Sequence, residues 1–415
     1  MTIFLHFDHH QHLTTLTRRN AVLIINRQYQ GLLLLLLRFS LACFFSAQQV
    51  LLEKTMINYN AVVCSLEIIP KFTGVISMTA STLLARHIIT KKKWGDISLT
   101  NKILFCISIV DIISSFFVDF LSSWMAPRET PNSSFAAGTT GTCSAQGFIS
   151  VFSLVYFATS YTALAVLYWL VVNRGWTKNQ MEQRRIRFSF LLPQLVVALC
   201  AALSPLFFGA YNYGFILQKC FLNYYPEDCY EENKECTRGS VVGVNIAQNI
   251  IFGYMLLGNI IVVLFMGLLI CSVYRQEKKA DRYLLKGQER NRKNTYSTAW
   301  QGVRFSAAYL VPYMMFYVFF FYDLLHPDGT QISEPGALVV LYYVVIMMPL
   351  LGVFNASVYF YPRYATQRQK NSEKSRMACL CDVLGIGCKR KRHETVEEDT
   401  NSTPLVSDED IQTLL

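Results

Sequence analysis

The chain has 415 residues, 52% of them hydrophobic, 14% aromatic and only 16% charged, with a formal net charge of +10. A soluble domain carries about a quarter charged residues, whereas here the apolar residues gather in runs of about 20 or more, enough for a helix to cross a hydrocarbon core of about 30 Å. The 12 cysteines are spread over a long, membrane-rich chain, which excludes a small disulfide scaffold, and the positive charge reads as facing anionic lipid rather than nucleic acid.

Residues 1–54 form a leader. Its apolar run Leu32–Phe45 is short, broken by Arg38 and preceded by Arg18, Arg19 and Arg27, so it resembles a signal peptide. A spurious upstream start, with Met56 as the true start, and an uncleaved eighth helix are the alternatives. Asp8, His9, His10 and His12 read as part of this leader, not as a metal site. Residues 55–65 make a short extracellular amino end.

Seven spans follow within residues 66–362: Leu66–Ile89, Ile103–Met125, Gly147–Val172, Phe188–Asn212, Val241–Val273, Trp300–Tyr322 and Ala337–Tyr361. Backbone polar groups in lipid must be satisfied within the segment, so each span is predicted as a helix. Glu67, Pro70 and Lys71 interrupt the outer end of the first. The loops after the first, third and fifth spans, residues 86–102, 173–187 and 274–298, hold 5, 5 and 8 Lys or Arg, and those after the second, fourth and sixth hold 1, 3 and 0. Short loops rich in Lys and Arg stay in the cytoplasm. The expected fold is therefore an all-α, multi-pass membrane protein, a seven-transmembrane-helix bundle with its amino end outside and a cytoplasmic tail at 363–415.

Other features agree with that orientation. The sequon at Asn132 falls in an outer loop, where glycosylation is possible, while those at Asn355 and Asn401 are expected to be silent. Cys143, Cys220, Cys229 and Cys236 all fall outside, where disulfides persist; a bridge from Cys143 to one of the other three would pin the fourth loop over the bundle, with three connectivities open. The acidic run Glu227, Asp228, Glu231, Glu232 and Glu235 is outside too. No internal repeat is visible, which argues against transporters built from duplicated halves.

Asp111 lies midway along the second span, a depth at which an ionisable residue turns inward to polar partners. It reads either as a structural polar knot or as an ion site or switch. Asp119 lies nearer the outside and could line a ligand cavity. Asn245, Gln248 and Asn249 share one face of the fifth span, and with Gln146 at the start of the third they are candidates for an outward pocket; plain interhelical hydrogen bonding is the alternative. In the seventh span, Pro349 and Gly352 allow a bend and a close approach, with Asn355 and Tyr359 four residues apart on one side. Pro312 supplies a second hinge in the sixth.

These pieces resemble a G-protein-coupled receptor of the group typified by the slime-mould cyclic AMP receptors, which shares features with secretin-type receptors. The match covers about Leu66 to Gln369 and rests on Asp111-Ile112-Ile113-Ser114-Ser115 followed by Ser122-Ser123-Trp124, on Cys143-x-x-Gln146-Gly147, and on Pro349-x-x-Gly352-x-x-Asn355-x-x-x-Tyr359. The third span ends in Asn173-Arg174-Gly175, without the acidic-Arg-Tyr triplet of rhodopsin-type receptors. The first span offers Ser77 and Ser81 where that class has Asn, and the seventh contains no Lys that could form a retinal Schiff base.

The resemblance implies a plasma-membrane receptor that binds an extracellular ligand in the outer half of the bundle. It further implies that the fifth and sixth helices move to admit a heterotrimeric G protein, flanked by the basic inner loops. The alternative from another class is a seven-span transporter or channel using Asp111 and Asp119. No clustered intramembrane His, Asp and Glu and no nucleophile–base set occurs, so neither catalytic residues nor a cofactor or metal is expected. In the tail, Tyr361–Gln369 is predicted as a short surface helix. Cys379, Cys381 and Cys388 lie beside Lys389-Arg390-Lys391-Arg392, a setting for palmitoylation.

Overall fold

The computed structural model describes residues 59–91, 97–130, 133, 135–214, 217–226, 229, 235–280, 300, 302, 304–314, 317–318, 334–371 and 375–385. They belong to two compact units. The larger takes in Tyr59–Gly329 and Leu341–Leu415; of the smaller, Met1–Asn58 with Thr330–Val340, only residues 334–340 are described, as one stretch of helix. The leader, Asn132, Cys388, Asn401 and most of the acidic run therefore lie outside the described residues.

Helix α1, Tyr59–Lys91, continues past Pro70 and begins about two turns before the predicted span. The charges expected to end it have partners instead: the Ser133 hydroxyl donates to Glu67 Oε1 at 3.0 Å, and the Lys71 ammonium lies 4.8 Å from the Trp124 ring centroid. Helix α2, Leu99–Ser114, is capped by Ser98 and passes into a π-helical stretch, Ser115–Phe120, and a 3-10 turn, Ser122–Met125. Helix α3, Thr140–Arg174, opens on a reciprocal capping box between Thr139 and Thr142 and stops at Gly175, whose φ of 65° suits glycine.

Helix α4, Arg184–Phe207, ends earlier than predicted, and Asn212 is not in a span. Gly209, with a φ of 60°, turns the chain into a hairpin of β1, Tyr211–Gly214, and β2, Lys219–Leu222, paired antiparallel with Tyr213 opposite Cys220. Helix α5 covers Val241–Ala280, and the predicted sixth span is helical over residues 304–314, termed α6.

The seventh span is broken. Helix α7, Glu334–Met347, and helix α8, Leu351–Lys370, flank Pro349, and the segment Val339–Met347 meets α8 at 55°. Proline lacks an N–H and crowds the carbonyl four residues back, the usual cause of a sharp kink. The predicted surface helix Tyr361–Gln369 is the continuation of α8; the separate short helix is α9, Arg376–Leu384, capped by Ser375 and Gly385.

Among the described residues, five helical stretches are long and apolar enough to cross a membrane: Cys64–Thr90, Leu99–Phe120, Thr140–Arg174, Arg184–Phe207 and Val241–Lys279; the bent pair raises the number to six. The chain is thus a helical membrane protein. Lipid is as apolar as leucine, so burial alone does not drive such helices together, and close packing and hydrogen bonds decide. α3 occupies the middle of the core, packed against α2, α4 and α5. Gly258 of α5 packs against Ala158 and Thr162 of α3. Phe72, Phe207, Val242 and Ile250 point outward, as lipid-facing residues should.

Candidate functional site: a clamped hairpin and a polar core

At one end of the bundle, strand β2 is gripped by three helices. Cys220 is joined to Cys143 of α3 by a disulfide. The amide of Gln146, on the next turn of α3, accepts from Cys220 N at 2.8 Å and donates to Phe117 O at 2.9 Å and Ser122 O at 2.8 Å. Gly147 leaves room for the Tyr211 ring, which would lie 2.5 Å from an added Cβ. The Cys143-x-x-Gln146-Gly147 motif is therefore a grip on the hairpin: a covalent bond, a hydrogen-bond bridge and a close approach in five residues.

Helix α2 holds the hairpin through Ser122, whose hydroxyl donates to Gln218 O at 3.1 Å, and through Asp119, whose carboxylate pairs with the Lys219 ammonium at 3.4 Å. Asp119 sits in the π-helical stretch and is 5% exposed. Helix α5 contributes Gln248, whose amide donates to Leu222 O at 2.9 Å. A second disulfide, Cys229–Cys236, closes a short loop just beyond the hairpin.

Of the five residues expected to line a ligand pocket, Asp119, Gln146 and Gln248 thus converge on consecutive parts of one strand. Asn245 and Asn249 do not join them: both are exposed on the outside of α5. At about 100° per residue Gln248 forms one edge of the shared face, about 60° around the helix from Asn245 and about 100° from Asn249, and only that edge reaches β2.

The second polar centre is deep in the bundle. Asp111, on α2, accepts at Oδ2 from Ser81 at 2.6 Å and from Ser77 at 3.2 Å, both on α1. Ser77 Oγ in turn accepts from Gly352 N at 2.9 Å. Gly352 lies in the first turn of α8, where an N–H has no carbonyl within the helix to receive it. The break at Pro349 thus creates an orphan donor, and a serine that also serves Asp111 satisfies it. Gly352 tolerates no side chain, since a Cβ would meet Ser77 Oγ at 2.6 Å and lie still closer to Asp111 and Ser81.

One turn further along α8, Asn355 accepts a hydrogen bond from Tyr161 of α3, whose ring stacks on Tyr309 of α6 at 4.4 Å. Tyr309 packs in turn against Tyr313, next to the buried Pro312. Tyr359 does not share the partners of Asn355. Its ring meets His87 of α1 edge-on at 5.6 Å, and Arg363 lies 3.7 Å over its face. The expected switch residues Asp111, Gly352, Asn355 and Pro312 are therefore linked through α1, α3 and α6, with Pro349 at the bend.

Sequence reasoning missed Lys219, Tyr161 and Tyr309. Lys219 carried a signal, being a cation directly before Cys220 in Lys-Cys-Phe-Leu. The tyrosines gave none, because an aromatic residue in a span is usually core or interface.

In the tail, Cys379 is fully buried, so its thiol has no room for an acyl chain while α9 stays packed, and Val383 of the same helix joins a cluster with Leu84, Ile88 and Ile97. Cys381 is half-buried on another face of α9. No protein-family model matches the chain, and no curated protein matches it.

Proposed function

We propose that the chain is a seven-helix receptor of the plasma membrane, with the hairpin end outside, that passes an extracellular signal to a heterotrimeric G protein. The observation that carries this reading is the Asp111–Ser77–Gly352 contact. It joins α1 and α2 to the bend between α7 and α8, and the next turn of α8 is joined to α3 and α6 through Asn355, Tyr161 and Tyr309. A bend held by exchangeable hydrogen bonds to neutral hydroxyls is a two-state element, because the donors can be reassigned without burying a new charge. A ligand that binds one arrangement more tightly shifts the population toward it.

On this reading the disulfides stand in an oxidising exterior. The basic loops 86–102, 173–187 and 274–298 flank the face that a G protein would meet. At that face the Arg304 guanidinium of α6 lies 4.0 Å from the Tyr361 ring centroid of α8. Outward movement of α6 would separate the two.

The test is nucleotide exchange on a purified heterotrimer with the receptor in lipid nanodiscs, using ligands found by a cell screen for G-protein dissociation. The expected result is ligand-dependent acceleration of exchange. Solute flux in proteoliposomes, with no effect on exchange by any ligand, would sink the receptor reading and favour a transporter.

A further inference from the structure

The strand that covers the hairpin end brings its own cation to a buried acid. Asp119 and Lys219 are both largely withdrawn from water, and their contact at 3.4 Å joins α2 to β2. The hairpin is also held by the Cys143–Cys220 disulfide, Gln146, Ser122 and Gln248, so opening the ion pair leaves it with other attachments. The carboxylate lies in a π-helical stretch, an irregularity that recurs at functional sites.

Two exchanges could open the pair. An anion could draw Lys219 away, but Asp119 would then stay buried without a counter-charge, which is strongly unfavourable. A cation could take the place of the Lys219 ammonium, leaving Asp119 paired while Lys219, the first residue of β2, swings to water on its flexible four-carbon stem. The second exchange leaves no charge stranded. The sequence balance agrees: the loops that the receptor reading places outside, after the second, fourth and sixth spans, hold nine Asp or Glu against four Lys or Arg, a balance that favours cations on the outer side.

We infer that the ligand of this chain carries an amine or guanidinium group, and that this group replaces the Lys219 ammonium on Asp119. The inference rests on the receptor reading for its consequence, but the exchange itself is measurable without a G protein.

The full chain in lipid nanodiscs is treated with an acetylating reagent for amines, and modification of Lys219 is followed by mass spectrometry. Butylguanidinium, which such reagents leave intact, is the cationic probe, and butyrate is the anionic control. In the wild-type chain Lys219 is protected, and millimolar butylguanidinium raises its acetylation rate by about tenfold or more, while butyrate leaves it unchanged. Asp119→Asn makes Lys219 reactive from the outset and removes the response, with the Cys143–Cys220 bond mapped to verify the fold. Asp119→Glu retains the response.

Equal rates with and without butylguanidinium in the wild-type chain would overturn the inference, as would an equal effect of butyrate. A guanidinium response without any nucleotide exchange on a G protein would leave the cation site standing and sink the receptor reading instead.

Discussion

The two polar centres of this bundle handle a buried aspartate in opposite ways. Asp111 accepts from neutral donors, among them the Ser77 and Ser81 hydroxyls, and Ser77 also receives the Gly352 N–H. Asp119, eight residues on, faces a full positive charge. The first arrangement joins helices to one another, and the second joins a helix to a strand. Neutral donors can be reshuffled as helices shift, whereas a buried ion pair separates only when another charge takes over. On the proposed receptor reading, the deep centre would serve rearrangement and the hairpin centre recognition.

Substitutions can break or sharpen this contrast. The largest effect is expected from Cys143→Ala, which removes a bond closing 77 residues of sequence. Losing a native disulfide costs about 2–5 kcal/mol, and surface expression with thermal unfolding in detergent would show it. If the variant is as stable as wild type, the remaining polar grip suffices and the hairpin is not clamped by the bond.

Gln146→Ala comes next. It leaves Cys220 N, Phe117 O and Ser122 O without their partner, at about 1–3 kcal/mol. The fall in melting temperature should be accompanied by faster amide exchange at Cys220. A comparable loss is expected from Gly352→Ala, because overpacking a tight contact costs about 1–3 kcal/mol. Its signature differs: the damage falls on the α1–α8 contact, so agonist response drops while the hairpin amides stay protected. Equal deprotection at both centres in either variant would erase the distinction drawn here.

Asp111→Asn tests whether the deep centre is a switch or a knot. The amide oxygen still accepts from Ser77 and Ser81, so stability should fall by less than about 1 kcal/mol, the scale of one hydrogen bond, and surface expression should persist while agonist response changes. Loss of expression would instead mark Asp111 as structural. Smallest of all is Asn249→Ala. Its side chain is exposed on the outside of α5, and such positions change stability by about 0.5 kcal/mol or less. A clear loss of ligand response there would restore Asn249 to the binding site.

Much of the fold was legible in the sequence because membrane constraints are local. A run of apolar residues in lipid must be helical whatever its neighbours, and for this reason α3 to α5 start and stop within about two turns of expectation, whereas regular α2 stops at Ser114, well short of the predicted Met125, and gives way to the π-helical stretch and the 3-10 turn. The pairing Cys143–Cys220 was left open among three partners, since spacing says nothing about which cysteine the hairpin presents to α3. The bend at Pro349 was readable from the absent N–H.

What the residue order determined by itself is where the chain can enter lipid and which residues there are too polar to face it: Asp111, Asp119, Gln146 and Asn355 announce themselves by their cost in that setting. Only the folded chain decided what each of them meets. The partners lie tens to hundreds of residues away, Ser77 with Gly352 and Asp119 with Lys219, and they were brought together by helix packing and a hairpin register that no local pattern encodes.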